Sequence, residues 1–328
     1  MRIPKRTTKG RWLLIFAGLF VFLLAAPAHA ETFPARPIEL IVPAAPGGGT
    51  DIMARILAEA ITPFLNQKMV VINKPGGSGT IGLATIAQAK PDGYTLGCVY
   101  NAPMTMVPHV LKTNFSLDQF SYVAMMAQGP MLFAVRSEFP AKTAKEFFEY
   151  AAKNPGKLTF AGDGVGNITH FSGERVFHAM NVKLRLVPYG GAGESIKALL
   201  GGHVDVYGGT VPPAAPHIKS GDVRPLFVTT REGVDLLPGV PGVASLGPNV
   251  PDTFIWRGVI GPKGIPADRL ATLEKALQQA AQSEKVQKSL RDLGETMTFG
   301  SGKQFEEAVR TEAAAMAKSA KEIGLSPK

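Results

Sequence analysis

A short apolar run, a glycine-rich turn and an amphipathic helix follow one another repeatedly along this chain. The first such unit runs from apolar residues 38–42 through a turn at 43–51 into apolar residues at helical spacing. Similar turns, at residues 76–80, 162–167 and 188–194, each follow another apolar run. Strands that alternate with helices in this way predict parallel sheets covered by helices, and therefore an α/β fold.

The order of these units also predicts two lobes. Two strand-like runs, residues 131–135 and 225–228, bracket a middle block with βα units of its own, and the C-terminal part adds a further strand and two helices. We therefore predict two α/β lobes joined by two crossing strands around a ligand cleft. Lobe 1 is discontinuous and comprises residues 31–132 and 228–328, and lobe 2 comprises residues 133–227. Such a connection lets a cleft open and close.

The glycine turns carry the strongest chemical signal. Residues 47–49 are three consecutive glycines before a helix, with Thr50 or Asp51 as the predicted N-cap. Glycine lets backbone N–H groups approach a ligand, and a helix N-terminus carries unpaired donors and partial positive charge. Such a turn suits a carboxylate or phosphate, although the same turn also closes a βα unit that binds nothing.

Four turns of this kind fall two in each predicted lobe, near residues 47–51, 77–80, 164–169 and 190–194. Ligands of open α/β sheets bind outside the carboxyl ends of the strands, which is where these turns lie. The pattern therefore predicts a cleft lined with backbone donors that holds a carboxylate without needing a salt bridge.

The N-terminus predicts export from the cytoplasm. Five basic residues precede an apolar stretch at residues 12–26, and Ala28 and Ala30 supply a small-x-small cleavage site. We predict a signal peptide over residues 1–30, cleaved after Ala30, because 15 apolar residues are too few for a comfortable membrane span.

Composition narrows the partners. Residues 1–30 hold five of the 35 Lys and Arg residues and none of the 26 Asp and Glu residues, so their removal lowers the formal net charge from +9 to +4. The remaining charges are spread along the chain and give no indication of a nucleic-acid partner. The single cysteine, Cys98, excludes an internal disulfide, and its strand-like surroundings predict a position in the core.

Motifs for other chemistry are incomplete. Gly77, Gly79 and Gly82 match the spacing of a dinucleotide fingerprint, but the next strand ends without the acidic residue that holds a ribose. The turn at residues 47–51 lacks the Lys of a P-loop, and the turn at residues 77–80 lacks the final glycine of a nucleophile elbow. The histidines show no metal-ligand spacing. We therefore expect no catalytic residue, no metal and no cofactor.

Two residue pairs allow two interpretations each. His170 and Glu174 lie one helical turn apart and either stabilise their helix or take part in a site. Trp256 and Arg257 precede the returning strand, where they either dock a carboxylate or ring at the cleft or lie at a solvated edge.

Short motifs also follow one another in a fixed order. They are FPARP (33–37), IVP (41–43), APGGGTD (45–51), NKPGG (73–77) with Gly82, KPDGYTL (90–96), GVG (164–166) with His170 and Glu174, VPYG (187–190), LGG (200–202) with VD (204–205), LP (237–238) with VP (240–241), and Trp256 with Gly258. Together they cover nearly all of residues 33–324. This order resembles the Bug-type extracytoplasmic solute receptors, the substrate-binding subunits of tripartite tricarboxylate transporters.

The resemblance implies a type II periplasmic-binding-protein fold and a periplasmic location. It implies capture of a small organic carboxylate, such as a di- or tricarboxylate, an acidic amino acid or an aromatic acid, for delivery to a membrane permease, with no chemistry performed. We expect a monomer. In that family the glycine turns of the first lobe hold a carboxylate largely through backbone N–H groups. Carried over by position, the ligand-binding residues are Ala45, Gly47, Gly48, Asp51, Gly77, Ser78, Gly79 and Thr80 from lobe 1, and Gly166, Asn167, His170 and Tyr189 from lobe 2.

The chain departs from the family pattern where specificity is set. Residues 207–210 (YGGT) stand where a bulky or acidic residue is usual, and Asn167 stands where a small hydroxyl residue is common. The ligand's identity is therefore left open. Two other functions are weighed: a ligand-sensing accessory of a membrane two-component sensor, which would share every cleft residue, and an exported hydrolase, for which no nucleophile–base pair is visible.

Overall fold

The computed structural model describes residues 32–325. The predicted signal peptide and its cleavage site after Ala30 lie outside the described residues, as do residues 326–328. Within the described part, no helix is both long and apolar enough to cross a membrane.

Strands and helices alternate through most of the described chain. The strands are β1 (Ile38–Val42), β2 (Met69–Asn73), β3 (Thr95–Tyr100), β4 (Phe120–Pro130), β5 (Leu132–Arg136), β6 (Thr159–Gly162), β7 (Arg185–Pro188), β8 (Val206–Gly209), β9 (Val223–Val228), β10 (Phe254–Pro262) and β11 (Thr296–Ser301). The α-helices are α1 (Gly49–Leu65), α2 (Thr80–Ala87), α3 (Ala144–Lys153), α4 (Ile168–Ala179), α5 (Ala192–Leu200), α6 (Val211–Ser220), α7 (Ala267–Ala281), α8 (Glu284–Asp292) and α9 (Gly302–Glu322). The predicted α/β class is confirmed.

The first sheet has the strand order β11-β4-β10-β3-β1-β2. β1 pairs in parallel with β2 and β3, whereas β10 and β11 pair antiparallel with their neighbours. In β1 every residue except Glu39 is buried, as expected of a strand covered on both faces. Helix α1 covers one face with Met53, Leu57 and Ile61, which recur at helical spacing and have no exposed surface.

The second sheet has the strand order β7-β6-β8-β5-β9. β6 pairs in parallel with β7 and β8, and β5 pairs antiparallel with β8 and β9. Its core is rich in phenylalanine. The ring of Phe133 stacks on that of Phe227 at a centroid distance of 5.1 Å and meets that of Phe177 edge-on at 5.7 Å. Aromatic pairs in these geometries add to the stabilisation from burial alone.

One short and one long connection join the sheets. Met131 alone separates β4 of the first sheet from β5 of the second, and residues 229–253 return the chain from β9 to β10. The predicted crossing runs, 131–135 and 225–228, correspond to β5 and β9, which are neighbours in the second sheet.

The two connections are hydrogen-bonded to each other. The backbone N–H of Thr229 donates to the carbonyl of Met131 at 2.9 Å. The backbone N–H of Met131 donates to the Thr229 hydroxyl at 2.9 Å, and that hydroxyl donates to the carbonyl of Thr253 at 2.6 Å. Thr229 is completely buried. A single side chain therefore ties both connections together.

Cys98 lies in β3 and is completely buried, as predicted. Burial raises the pKa of its thiol to about 12, so the sulfur is a packing atom and not a nucleophile at neutral pH.

Candidate functional site

A cleft of about 660 Å³ opens at the carboxyl ends of the strands of both sheets. Four of the segments that line it begin just after β1, β2, β6 and β7, all strands with parallel neighbours. These segments are the four predicted glycine turns, and the helices that follow them start at the cleft. The first N–H groups of each helix have no intrahelical acceptor, so the cleft wall is rich in backbone donors.

The first turn is held in shape by Asp51. The Asp51 carboxylate accepts hydrogen bonds from the Gly47 N–H at 2.9 Å, from the Asn73 amide at 2.9 Å and from both ends of the Arg55 guanidinium at 2.9 and 3.0 Å. The Asn73 amide also donates to the carbonyl of Ala44 at 3.1 Å. Burial opposes the charged form of Asp51, but the hydrogen bonds from Arg55, Gly47 and Asn73 outweigh it and lower its pKa.

The predicted N-cap of α1 is corrected by the structure. The N-cap is Gly48, which has an extended backbone and no capping side chain, whereas Thr50 and Asp51 lie inside the first helical turn. Asp51 nevertheless satisfies a free donor, because its side chain reaches back from the third helical position to the N–H of Gly47. No side chain at the N-cap competes with a ligand for the following N–H groups.

The second turn has an unusual backbone. Gly77, Ser78 and Gly79 have φ angles of 57°, 54° and 95°, so three consecutive residues are left-handed. Successive amides in such a segment form a concave group of N–H donors suited to an anion. A side chain at Gly79 would also be blocked, because a Cβ there would lie 2.9 Å from Pro103 and 3.1 Å from the carbonyl oxygen of Pro43.

Ser78 also reaches the opposite wall. Its hydroxyl donates to the carbonyl oxygen of Val165 at 3.1 Å. This hydrogen bond joins the turn after β2 in the first sheet to the turn after β6 in the second, so the two walls meet at this edge of the cleft.

Asn167 and Glu194 shape the two turns of the second sheet. Asn167 is the N-cap of α4: its Oδ1 accepts from the Ile168 N–H at 2.7 Å, and its amide donates to the Asp163 carbonyl at 2.8 Å. Glu194 plays the role that Asp51 has in the first turn, because its carboxylate accepts from the Gly190 N–H at 2.9 Å.

A buried ion pair lies at the cleft behind the first turn. Arg257 of β10 is 1% exposed and is paired with Glu295, and its Nε donates to the Thr50 hydroxyl at 3.2 Å. The guanidinium lies close against Gly49, where a Cβ would come within 2.5 Å of it. Burial raises the pKa of Glu295, although the Arg257 charge opposes the shift. Of the two interpretations of Arg257, the cleft position therefore holds and the solvated edge does not.

Trp256, its neighbour, points elsewhere. Its indole N–H donates to Glu312 at 2.7 Å, its ring meets that of Phe305 edge-on, and the residue does not line the cleft.

Asp163 is a second acidic residue on the cleft wall. Its Oδ1 is buried and has no hydrogen-bond partner among the described residues. Burial raises the pKa of this carboxyl to about 7, against a smaller opposing contribution from the nearby Thr169 hydroxyl.

The predicted binding residues divide into two groups. Those that line the cleft are Ala45, Gly47, Gly48, Gly77, Ser78, Gly79, Asn167 and Tyr189. Those that lie behind its wall are Asp51, Thr80, Gly166 and His170. The second group supports the turns: the Thr80 hydroxyl donates to the Gly77 carbonyl at 2.8 Å, and the Gly166 N–H donates to Nδ1 of His170 at 3.0 Å.

His170 is a buried neutral side chain. Burial lowers its pKa to about 4, so the ring is uncharged at neutral pH. Its Nε2 lies 3.9 Å from the Glu174 carboxylate within the same helix. This geometry favours the structural interpretation of the pair, because His170 holds the turn at Gly166 and does not face the cleft.

Sequence reasoning missed several residues of the wall, namely Asp163, Lys197, Thr210, Pro213 and Ile255. Thr210 follows β8 at the carboxyl end of a parallel-paired strand and occupies the N-cap position of α6, so the strand-end rule that identified the four turns applies to it as well. Within residues 32–325, no group of three or more His, Cys, Asp or Glu side chains is arranged to hold a metal ion.

Two known proteins of similar sequence come from the same group. Protein BugT of Bordetella pertussis is 31% identical over 289 residues, which cover 87% of this chain and 89% of BugT. Among solved structures, the periplasmic binding protein BugD matches with a TM-score of 0.84 and 31% identity, over 90% of this chain and 100% of BugD.

Two further structures contain ligands. An R. palustris protein solved with adipate matches with a TM-score of 0.85 and 28% identity, over 90% of this chain and 100% of that one. MatC from Rhodopseudomonas palustris, solved with bound malate, matches with a TM-score of 0.81 and 27% identity, over 88% of this chain and 99% of MatC.

The family comparison agrees with the geometry. Residues 53–325 match the model of the tripartite tricarboxylate transporter family receptor. The predicted two-lobed periplasmic-binding-protein fold is thereby confirmed, as is the expectation of a solute-binding receptor and not an enzyme. The chain belongs to the Bug-type receptor family of tripartite tricarboxylate transporters.

Proposed function

We propose that this protein is a periplasmic receptor that captures a small organic carboxylate in the cleft and delivers it to a permease of the tripartite tricarboxylate type. The observation that carries the proposal is the convergence of four strand-end turns, each followed by a helix N-terminus, on one cleft. A carboxylate in such a place replaces its water shell with backbone N–H donors that are already oriented.

The ligands of two relatives support this class. Adipate and malate, bound to the R. palustris proteins, are both dicarboxylates. Di- and tricarboxylates, acidic amino acids and aromatic acids therefore form the set to test on this chain.

Each predicted binding residue has a proposed role. The N–H groups of the turns at Gly47–Gly48 and Gly77–Gly79 that are not already used within the turns bind one carboxylate, with Ala45 and Ser78 beside them. The Gly47 and Gly79 N–H groups instead hold the turns in shape by donating to Asp51 and to the Gly76 carbonyl. Asp51 and Thr80 position these turns. On the opposite wall Asn167 and Tyr189 contact the ligand, while Gly166 and His170 fix the shape of their turn. The support is that eight of these residues line the cleft and that the other four are hydrogen-bonded to the turns or form part of them.

The proposal extends to maturation and assembly. Residues 1–30 direct export and are cleaved after Ala30, lobe 1 comprises residues 31–132 and 228–328, lobe 2 comprises residues 133–227, and the receptor acts as a monomer. The intact mass of the exported protein tests the cleavage site, and light scattering in solution tests the monomer.

Thermal unfolding tests the ligand class. The exported protein is heated with each carboxylate and with the corresponding neutral amide. A ligand at about 100 times its Kd stabilises the native state by about 2.7 kcal/mol, which raises the Tm by several degrees. A shift with an acid and none with its amide supports the proposal. No shift with any acid, even after unfolding and refolding to remove a co-purified ligand, refutes it.

A further inference from the structure

Asp163 stands apart from the rest of the cleft chemistry. The four turns offer N–H donors, which suit an anion, yet Asp163 adds a carboxyl group to the same wall. It follows directly after β6 and precedes Gly164, where a Cβ would lie 3.0 Å from the Ser78 hydroxyl of the facing turn. A ligand held by the turn at Ser78 is therefore held beside the turn that carries Asp163.

The protein satisfies this carboxyl group only weakly, because the Thr169 hydroxyl lies near it and opposes the rise in its pKa. Oδ1 of Asp163 is buried and has no hydrogen-bond partner among residues 32–325. Two phenols lie near Asp163: the Tyr207 hydroxyl donates to the Thr210 carbonyl at 2.6 Å, and the Tyr100 hydroxyl accepts from the Asn167 amide at 3.3 Å. A buried carboxylate oxygen without a donor is costly, so it requires either a proton or a donor that arrives from outside.

The cations of the cleft do not neutralise Asp163 either. Arg257 is paired with Glu295, and no ion pair joins Asp163 to Lys197, the other cation on the wall. A ligand that placed a second carboxylate here would meet a like charge, whereas one that placed a donor here would complete the hydrogen bonding of the wall.

We propose that Asp163 is a specificity residue that selects carboxylates bearing an ammonium or a hydroxyl group, whose hydrogen bond the Asp163 carboxyl group accepts. The inference rests on the proposed function, because the ligand's carboxylate is assigned to the donors of the first-sheet turns. Hydroxy and amino carboxylates then bind more tightly than the unsubstituted acids of the same chain length.

A pH dependence follows from this arrangement. Burial gives Asp163 a pKa of about 7, so in the unliganded protein the carboxyl is partly protonated at neutral pH. A ligand donor requires the ionised form, and binding below that pH therefore releases a proton. Affinity for donor ligands should rise between about pH 6 and about pH 8, whereas a protonated Asp163 that donated to a second ligand carboxylate would give the opposite slope.

The other titratable groups near Asp163 whose pKa values are shifted do not titrate between about pH 6 and about pH 8. Burial raises the pKa of Tyr100 to about 12 and raises that of Tyr207 well above its usual value, and it lowers the pKa of His170 to about 4. The remaining charged groups at the cleft are Glu194, Lys197 and Arg257.

The test is isothermal titration with matched acids. One set is succinate, malate and aspartate, which differ only in having no donor, a hydroxyl or an ammonium group, and the second set is glutarate, 2-hydroxyglutarate and glutamate. Each is titrated at several pH values and in two buffers of different ionisation enthalpy, which gives the number of protons released. Malate against aspartate distinguishes a hydroxyl donor from an ammonium donor.

Asp163→Asn and Asp163→Ala are compared with Asp235→Asn, a control that makes the same charge change at an exposed position away from the cleft. For donor ligands both Asp163 variants should lose about tenfold or more in affinity, and Asp163→Asn should also lose the proton release. Binding of the unsubstituted acids should stay within about twofold or improve. Circular dichroism and thermal melting establish that each variant is folded.

The outcomes separate the inference from the proposed function. Equal affinity for donor and unsubstituted acids, unchanged by Asp163 substitution, refutes the inference and leaves the receptor function intact. Proton uptake in place of release also refutes it. Failure of every carboxylate to bind the wild-type protein refutes the proposed function and the inference with it.

Discussion

Replacing Asp51 by alanine removes the carboxylate that fixes the first glycine turn, without touching the cleft wall itself. That carboxylate accepts four hydrogen bonds, from the Gly47 N–H, the Asn73 amide and two nitrogens of Arg55. In the variant, Gly47 and Asn73 lose their acceptor together, and the segment from Ala44 to Gly47 loses its attachment to α1. Both stability and ligand affinity are therefore expected to fall.

The size of the destabilisation depends on which of the hydrogen-bond donors to Asp51 are shielded from solvent. Arg55 is more than half exposed, so its two bonds are discounted for solvent. The bonds from Gly47 and Asn73 are charge-assisted and partly buried, each contributing about 1.5–3 kcal/mol, and water replaces part of this in the variant. We expect a net destabilisation of about 2–4 kcal/mol. Because a ligand must then order the turn at its own cost, affinity should fall by about tenfold to a hundredfold.

Urea unfolding at several pH values and calorimetric titration with the best carboxylate measure the two effects. The pKa of Asp51 is lowered in the folded state, so its contribution is present above the unfolded pKa of about 3.9 and is lost as pH falls through the folded value. The difference between wild type and Asp51→Ala should shrink accordingly in acid. His109→Ala is the control, since its ring bonds the Ala313 carbonyl away from the cleft. Equal affinities for both variants would refute the assigned role of the first turn.

Three further predictions concern Arg257, Gly79 and His170. Arg257→Met leaves Glu295 buried without its partner and should cost about 3–5 kcal/mol in urea unfolding at pH 7. The cost should fall as the pH is lowered, because the pKa of Glu295 is raised by burial and a protonated Glu295 needs no cation; a cost that does not change with pH would contradict this. Gly79→Ala forces a side chain onto a backbone with a φ of 95° and into close contacts, so we expect ligand affinity, measured by titration calorimetry, to fall by about tenfold or more. Gly221→Ala is the control: its backbone is also strained in φ, but the site has open space and lies outside the cleft, so affinity should not change. Burial lowers the pKa of His170 to about 4, below its unfolded value of about 6.5. The free energy of unfolding should therefore decline by about 3 kcal/mol as the pH falls from about 6.5 toward 4. In pH-dependent melting, His170→Gln should lose this decline.

The glycine turns could be predicted from sequence because their signals are local. A glycine run between an apolar strand and a helical pattern specifies a βα turn within about a dozen residues, and all four turns lie where the pattern placed them. The N-cap of α1 was predicted wrongly for a local reason too. Thr50 and Asp51 are typical N-cap residues, but here Gly48 is the N-cap. Asp51 lies in the first turn of the helix and accepts a hydrogen bond from the N–H of Gly47, which precedes the helix.

The rest of the wall depends on contacts that are distant in sequence. Arg257 and Glu295 form an ion pair although they are 38 positions apart in the sequence, and no local pattern around either residue predicts the pair. The sequence VPPAAPHIKS gives no clear signal for helix α6, because it contains three prolines. Its first two prolines fall in the first helical turn, where a missing N–H costs nothing, and only Pro216 lies deeper in the helix. The lack of a hydrogen-bond partner for Oδ1 of Asp163 depends on which residues surround it in the folded protein, so it could not be predicted from the sequence.

The Thr229 side chain has a mechanical consequence. Since one hydroxyl accepts from the N–H of Met131 and donates to the carbonyl of Thr253, the two strands of chain between the sheets cannot slide past each other without breaking it. Sliding of one sheet along the other would cost these hydrogen bonds, whereas a rotation about Thr229 would keep them. We therefore expect the cleft to open and close by rotation close to Thr229.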